Sequence, residues 1–158
     1  MDKAAVVALG EALRVQGLRI STAESCTGGL IAAACTAVAG SSDWFERGFV
    51  TYSNAAKAEL LGVDPALIAA HGAVSEPVAR AMADGALARA PVQRAVAVTG
   101  IAGPGGAVPG KPVGTVWLAL ARAGAPTQAW RLQLDGDRDA VRQATVDAAL
   151  LALQRSLD

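Results

Sequence analysis

The chain has 158 residues, 53% of them apolar, enough for one ordinary domain with a core that needs no disulfide or structural metal. Its 14 acidic residues balance 14 basic ones and the arginines are scattered, so the charge pattern excludes a nucleic-acid grip and suits a small ligand. No window holds the roughly 18 uninterrupted apolar residues of a membrane span, and the N-terminus lacks the pattern of a signal peptide, which predicts a cytoplasmic protein with no membrane partner.

In chain order, Val6, Leu9 and Leu13 share one face of a helix over 3–16 that Gly17 ends. Residues 18–23 read as a strand, Ser25-Cys26-Thr27-Gly28-Gly29 as a tight turn, and the Ala-rich run 30–38 as the following helix. Phe45 to Tyr52, aromatic and β-branched, predicts a second strand; Ser53-Asn54 then caps a helix that carries Lys57 and stops at Gly62. Asp64-Pro65 opens a helical turn reaching His71-Gly72, and Ser75-Glu76-Pro77 begins a helix to about Arg89. Ala95 to Thr99 has the compact apolar character of a buried strand, and the glycine- and proline-rich stretch 100–112 is a long loop. Strands over 113–121 and 128–134, joined around Gly124-Ala125-Pro126, and a last helix capped by Asp137 complete the chain. Strands alternating with helices predict an α/β fold, a three-layer α/β/α sandwich, and the two adjacent final strands make its sheet mixed. One domain over residues 1–158 is expected; strand order is not readable.

Cys26 and Cys35 fall in what reads as one helix with their side chains apart, so both are expected as free thiols. With a single histidine, His71, and no paired Cys/His spacing, no zinc ligand set is present, and no metal or other cofactor is expected. His71, before Gly72 in a loop, reads as an ordinary loop residue.

Several residues could carry chemistry. Ser25 stands at a strand-to-helix turn, where free N–H groups of the first helical turn can hold an oxyanion; equally, Ser25 or Thr27 can simply cap that helix. Lys57 lies near the positive end of its helix, where the dipole and desolvation would favour a neutral amine able to act as base, although a solvated helix lysine fits the same pattern. Cys26, at the same turn, is a rival nucleophile. The loop Thr99-Gly100-Ile101-Ala102-Gly103-Pro104-Gly105-Gly106 exposes backbone to a polar or phosphorylated ligand, or only connects two strands; it matches neither nucleotide-binding fingerprint. Arg138 and Arg142, one turn apart at a helix start, either hold a phosphate or are compensated by Asp137 and Asp139.

The segment Ala23-Glu24-Ser25-Cys26-Thr27-Gly28-Gly29 closely resembles the CinA C-terminal domain family, the nicotinamide-nucleotide amidohydrolases or PncC enzymes. Collinear matches follow at 48–54 with Lys57, at 72–75, at 99–106, at Lys111-Pro112-Val113-Gly114-Thr115-Val116, and at Gly136-Asp137-Arg138 with Val141-Arg142. The resemblance implies metal-free hydrolysis of nicotinamide mononucleotide to nicotinic acid mononucleotide and ammonia by a homodimer. It implies Ser25 as nucleophile, Lys57 as general base, Tyr52 and Thr99 as polar partners, and an arginine of the last helix on the substrate. Cys26, Thr27, Gly28, Gly29, Gly100, Gly103, Gly105 and Gly106 are expected to line the substrate. The stretch 107–110 departs from the polar spacer of the family. A noncatalytic nucleotide-binding or DNA-repair partner module is the alternative that ammonia release distinguishes.

Overall fold

The Asp2 carboxylate accepts from the Ala5 amide at 2.8 Å and starts α1, Lys3–Val15. The computed structural model describes residues 2–158. Past α1, Gly17 adopts φ +65° and the amides of Gly17 and Leu18 turn back to the carbonyls of Arg14 and Leu13, a Schellman end. Leu18 is thereby taken up by the helix terminus, so the strand expected from residue 18 begins at Ile20 instead.

Five strands form one sheet: β1 (Ile20–Glu24), β2 (Phe45–Val50), β3 (Arg94–Gly100), β4 (Thr115–Arg122) and β5 (Ala125–Gln133), in the order β2-β1-β3-β4-β5. β1 is parallel to both neighbours, while β4 and β5 run antiparallel, so the sheet is mixed. The remaining helices are α2 (Leu30–Thr36), α3 (Asn54–Leu61), α4 (Pro65–His71), α5 (Glu76–Ala88) and α6 (Arg138–Arg155). Val6, Leu9 and Leu13 of α1, Ile31 and Cys35 of α2, and Val146 and Leu150 of α6 pack on Ile20, Val96, Val98, Leu118 and Leu120 of one sheet face. Leu61, Ile68, Val78, Met82 and Ala83 of α3, α4 and α5 pack on Ala23, Ala95, Ala97, Ala119 and Ala121 of the other. The period-two alternation of large and small residues along β3 and β4 thus makes the three layers, with α5 drawn close over the alanine face.

Gly85 marks how close: a Cβ there would stand 2.1 Å from the carbonyl oxygen of Leu61 at the end of α3. α2 stops at Thr36, short of the expected Val38, where the Thr36 hydroxyl bonds back to the carbonyls of Ala32 and Ala33. β5 starts earlier than expected because the connection is a two-residue turn, Ala123-Gly124, and Pro126 is tolerated in an edge strand. The long loop after β3 carries one isolated bridge, Val108 with Lys111, and is otherwise irregular.

Candidate active site

The C-terminal ends of β1, β2 and β3 lie together at one edge of the sheet, with β1 between the other two. The chain leaves β1 to one side for β2 and returns on the other for β3, the switch point where ligands of open α/β sheets bind. Two ladder bonds extend past the strand ends and fix the residues just beyond β1 and β2: Ser25 N–H donates to the Val98 carbonyl at 3.1 Å, and Thr51 N–H to the Glu24 carbonyl at 2.8 Å.

Lys57 comes to this point from α3. Ser53 caps the helix by accepting from the Ala56 amide, and the Lys57 side chain folds back over the N-terminal end. Its Nζ lies 3.2 Å from Ser25 Oγ, 3.0 Å from the Thr51 carbonyl and 3.2 Å from the Tyr52 carbonyl. Lys57 is 1% exposed, and that burial holds its pKa below the ordinary lysine range, against an opposing pull from the Cys26 thiol. An amine with three oxygen neighbours in these positions can donate to the two carbonyls and turn its third position to the hydroxyl in either protonation state.

Around the pair lies a cavity of about 190 Å³ that Cys26, Tyr52, Thr99, Gly100, Ala102 and Arg138 help to line. Thr99 is buried and its hydroxyl donates to the Ala73 carbonyl at 2.9 Å. Tyr52 is 62% exposed, and its hydroxyl accepts from the Arg138 guanidinium at 3.3 Å. Arg138 also donates to the Gly103 carbonyl at 2.9 Å and borders a second depression, of about 590 Å³, formed with Ala102, Pro104, Val113 and the first residues of α6. Arg138 thus stands at the junction of two spaces, one small and lined in part by the Ser–Lys pair, the other wider.

The profile of the CinA C-terminal domain matches residues 2–157. The chain belongs to the CinA C-terminal domain family. It is 54% identical over 145 residues to a nicotinamide-nucleotide amidohydrolase PncC of Escherichia coli K12, covering 92% of this chain and 88% of that protein. It is 56% identical over 158 residues to a putative competence-damage inducible protein of Symbiobacterium thermophilum, where it spans only 37% of the longer relative. Among solved structures, the competence/damage inducible protein CihA of Agrobacterium tumefaciens superposes with a TM-score of 0.92 at 46% identity, covering 96% of this chain and 94% of that one. A competence damage-inducible protein A of Klebsiella pneumoniae reaches 0.94 at 41% identity, covering 98% and 96%.

Against the expectations from this CinA-family sequence, the fold gathers Ser25, Lys57, Tyr52, Thr99, Cys26, Gly100 and Arg138 around the cavity, and brings Gly103 to it through a carbonyl held by Arg138. Thr27, Gly28, Gly29, Gly105 and Gly106 do not line it. Arg142 does not either: its Nε donates to the Cys26 carbonyl at 3.1 Å and a second nitrogen to the Thr27 carbonyl at 3.3 Å, so it braces the turn from behind. The two cysteines do not share a helix, since Cys26 sits in the turn before α2 and Cys35 within it; both are free. Burial pushes the Cys26 thiol up to about 11 and Cys35 to about 12, which keeps both protonated at neutral pH. His71 is exposed, and its carbonyl accepts from Lys111 at 2.8 Å, away from the cavity. Among the described residues no cluster of three or more His, Cys, Asp or Glu side chains could hold a metal, and no helix is long and apolar enough to cross a membrane.

The largest correction concerns the amides at the start of α2, expected to be free for an oxyanion. Glu24, to which the sequence assigned no role, takes them: its carboxylate accepts from the Gly29, Ile31 and Ala32 amides at 3.2, 2.9 and 3.0 Å and from the Thr27 hydroxyl at 2.6 Å. The signal was there to find. Gly28-Gly29 offers no side chain to cap the helix, and an acid just upstream is the group that must. Asn54, Ala73 and Val74 also line the cavity without having been singled out.

Proposed function

We propose that this chain hydrolyses the carboxamide of nicotinamide mononucleotide to nicotinic acid mononucleotide and ammonia in the cytoplasm, with Ser25 as nucleophile and Lys57 as its base. The observation that carries this reading is the buried amine 3.2 Å from the Ser25 hydroxyl, its remaining donors facing two backbone carbonyls. A neutral amine spends its two N–H groups on the Thr51 and Tyr52 carbonyls, and its lone pair is left for the hydroxyl proton. Desolvation favours that neutral form. The activity for which the PncC relative is named, at 54% identity, supports the choice of reaction.

In the first step Ser25 Oγ bonds to the carboxamide carbon as its proton passes to Lys57 Nζ, leaving an alkoxide on the former carbonyl oxygen. With the α2 start taken by Glu24, the amides of Cys26 and Thr27, which donate to no backbone carbonyl among the described residues, are the donors left on the turn for that oxygen. The C–N bond then breaks as Lys57 returns the proton to the leaving nitrogen, and ammonia departs. Water, deprotonated by Lys57, attacks the nicotinoyl ester; its C–O bond breaks and Ser25 recovers a proton. The small cavity takes the pyridine ring. Arg138, at its mouth, pairs with the phosphate as the ribose runs toward the wider depression.

A noncatalytic nucleotide-binding module gives no reason to desolvate an amine against a hydroxyl, whereas catalysis requires it. Within the same reading the chain acts as a homodimer; the uncovered face between β5 and α6, where Trp130 and Leu151 are each 41% exposed, supports such pairing. Purified protein is expected to release ammonia from the mononucleotide, with Ser25→Ala and Lys57→Met each slower by roughly 10³-fold or more. Full activity in Ser25→Ala removes the serine from the mechanism; nucleotide binding with no ammonia removes the reaction.

A further inference from the structure

We propose that Glu24 is the positioning residue of this site: its carboxylate fills the start of α2 in place of any ligand and thereby fixes the turn that presents Ser25. The inference rests on the serine reading above and adds a residue that touches no substrate.

Glu24 is the last residue of β1 and is 0% exposed. Its backbone is tied on both sides, to Val50 of β2 and Val98 of β3 in register, so the carboxylate hangs from a strand held by two neighbours. Four donors converge on it. Oε1 accepts from the Thr27 hydroxyl, the Gly29 amide and the Ile31 amide, and Oε2 from the Ala32 amide. These donors begin two residues beyond Ser25 and reach into the first turn of α2, so one side chain ties strand, turn and helix together around the nucleophile. The turn needs such a tie. It contains Gly28 and Gly29 at φ +59° and +104°, backbone that relaxes freely unless something holds it.

The chemistry of the donor set selects glutamate. Three of the four partners are backbone N–H groups, which can only donate, and they fall on both carboxylate oxygens, so both positions must accept; a carboxylate meets this where an amide cannot. In Glu24→Gln the new side chain, in its better orientation, would aim an NH₂ at the Ala32 amide; in the other that NH₂ would face the Gly29 and Ile31 N–H groups. Aspartate is shorter by one methylene, about 1.5 Å, and cannot reach both Gly29–Ile31 and Ala32 from the same strand position. A second consequence concerns the substrate. Since the helix start already holds an anion, a substrate phosphate gains nothing there, and the anionic end is turned outward to Arg138.

The test uses the intact chain with Glu24→Gln, Glu24→Asp, Thr27→Val and Thr27→Ser. Two readouts are taken per folded molecule, well below each variant's unfolding temperature: ammonia release from the mononucleotide, and the rate at which a fluorophosphonate labels Ser25, in which the Oγ–P bond forms and fluoride leaves. Glu24→Gln and Glu24→Asp are expected to lower kcat by roughly 30- to 100-fold with KM within about 3-fold, because the misplaced group acts on the reacting atom and not on binding. Labelling slows in parallel. Thr27→Val loses about 10-fold in kcat, and Thr27→Ser, which keeps the hydroxyl, recovers most of it. The proposal is overturned if Glu24→Gln matches the parent in kcat and labelling while only its unfolding temperature falls, since that is a purely structural role. Should neither Glu24 variant fold, the Thr27 pair decides: equal kcat and labelling in Val and Ser overturn it. If the parent labels but releases no ammonia, the substrate reading fails, and the labelling comparison still decides the role of Glu24.

Discussion

Replacing Gly85 by alanine tests whether the packing of α5 on α3 sets the distance between the proposed base and nucleophile. The new Cβ meets the Leu61 carbonyl oxygen at 2.1 Å and the Leu61 Cβ at 3.0 Å. A comfortable carbon–oxygen contact is about 3.3 Å, so the two helices must part by roughly 1 Å. Alanine favours a helix over glycine by about 1 kcal/mol, and overpacking costs about 1–3 kcal/mol, so the net loss reaches about 2 kcal/mol. For a chain of this size that lowers Tm by up to about 8 °C. The larger effect is on rate. Lys57 sits one turn before Leu61 on α3, and its 3.2 Å contact with Ser25 leaves hydrogen-bond range if the helix moves by that much. A misplacement of about 1 Å costs on the order of 10²-fold in kcat. Thermal unfolding by circular dichroism and ammonia release on the same preparation check both numbers. A Gly85→Ala protein with parental Tm and parental kcat shows that the helices yield elsewhere and that α5 does not govern the pair.

Burial lowers the Lys57 pKa from its ordinary value, and in the proposed mechanism Lys57 acts as a neutral base, so kcat/KM should rise with pH to a plateau whose inflection lies below the usual ~10.4 for lysine. Over the window between that depressed value and ~10.4 only the unfolded chain still holds the proton, so unfolding free energy also climbs with pH, a slope that Lys57→Met removes. Arg138→Gln should raise KM for the phosphorylated substrate by roughly 10- to 100-fold and change little for the riboside; an equal effect on both contradicts a phosphate contact. Arg142→Gln, by contrast, withdraws donors from the Cys26 and Thr27 carbonyls and should show chiefly as about 1–2 kcal/mol of lost stability in urea unfolding. With burial raising the Cys26 thiol from 9.0 to about 11, alkylation by iodoacetamide at neutral pH should run about 100-fold slower than for free cysteine. Cys26→Ala should keep at least a tenth of the rate, and complete inactivity would transfer the nucleophile's role to it.

Much of this fold was legible because the signals are local. Ser53, Asp64 and Asp137 each cap the helix the sequence assigns them, by accepting from the Ala56, Ala66 and Ala140 amides. The alternation in Ala95-Val96-Ala97-Val98 marks a strand buried on both faces. Where β1 lies relative to β2 and β3 depends on which way each crossover passes, and no residue of β1 records that. Arg138 and Arg142 are equivalent on a helical wheel; they differ only because the turn after β1 lies behind one and the cavity in front of the other. Glu24 was obscured for the opposite reason. Within Glu24-Ser25-Cys26 the serine draws the chemical reading, and the one signal for the acid lies further on, in the bare Gly28-Gly29 helix start; the four converging donors show that it faces inward, away from the cavity.

The tip joining β4 to β5 lies at the far end of the sheet from the cavity, which is built from the segments after β1, β2 and β3 and from the start of α6. At Gly124 nothing comes within 4 Å of where a side chain would begin. The hairpin apex is therefore open for grafting: a fluorescent reporter or affinity tag spliced between Ala123 and Gly124 travels with the protein without sharing a single group with its reaction centre.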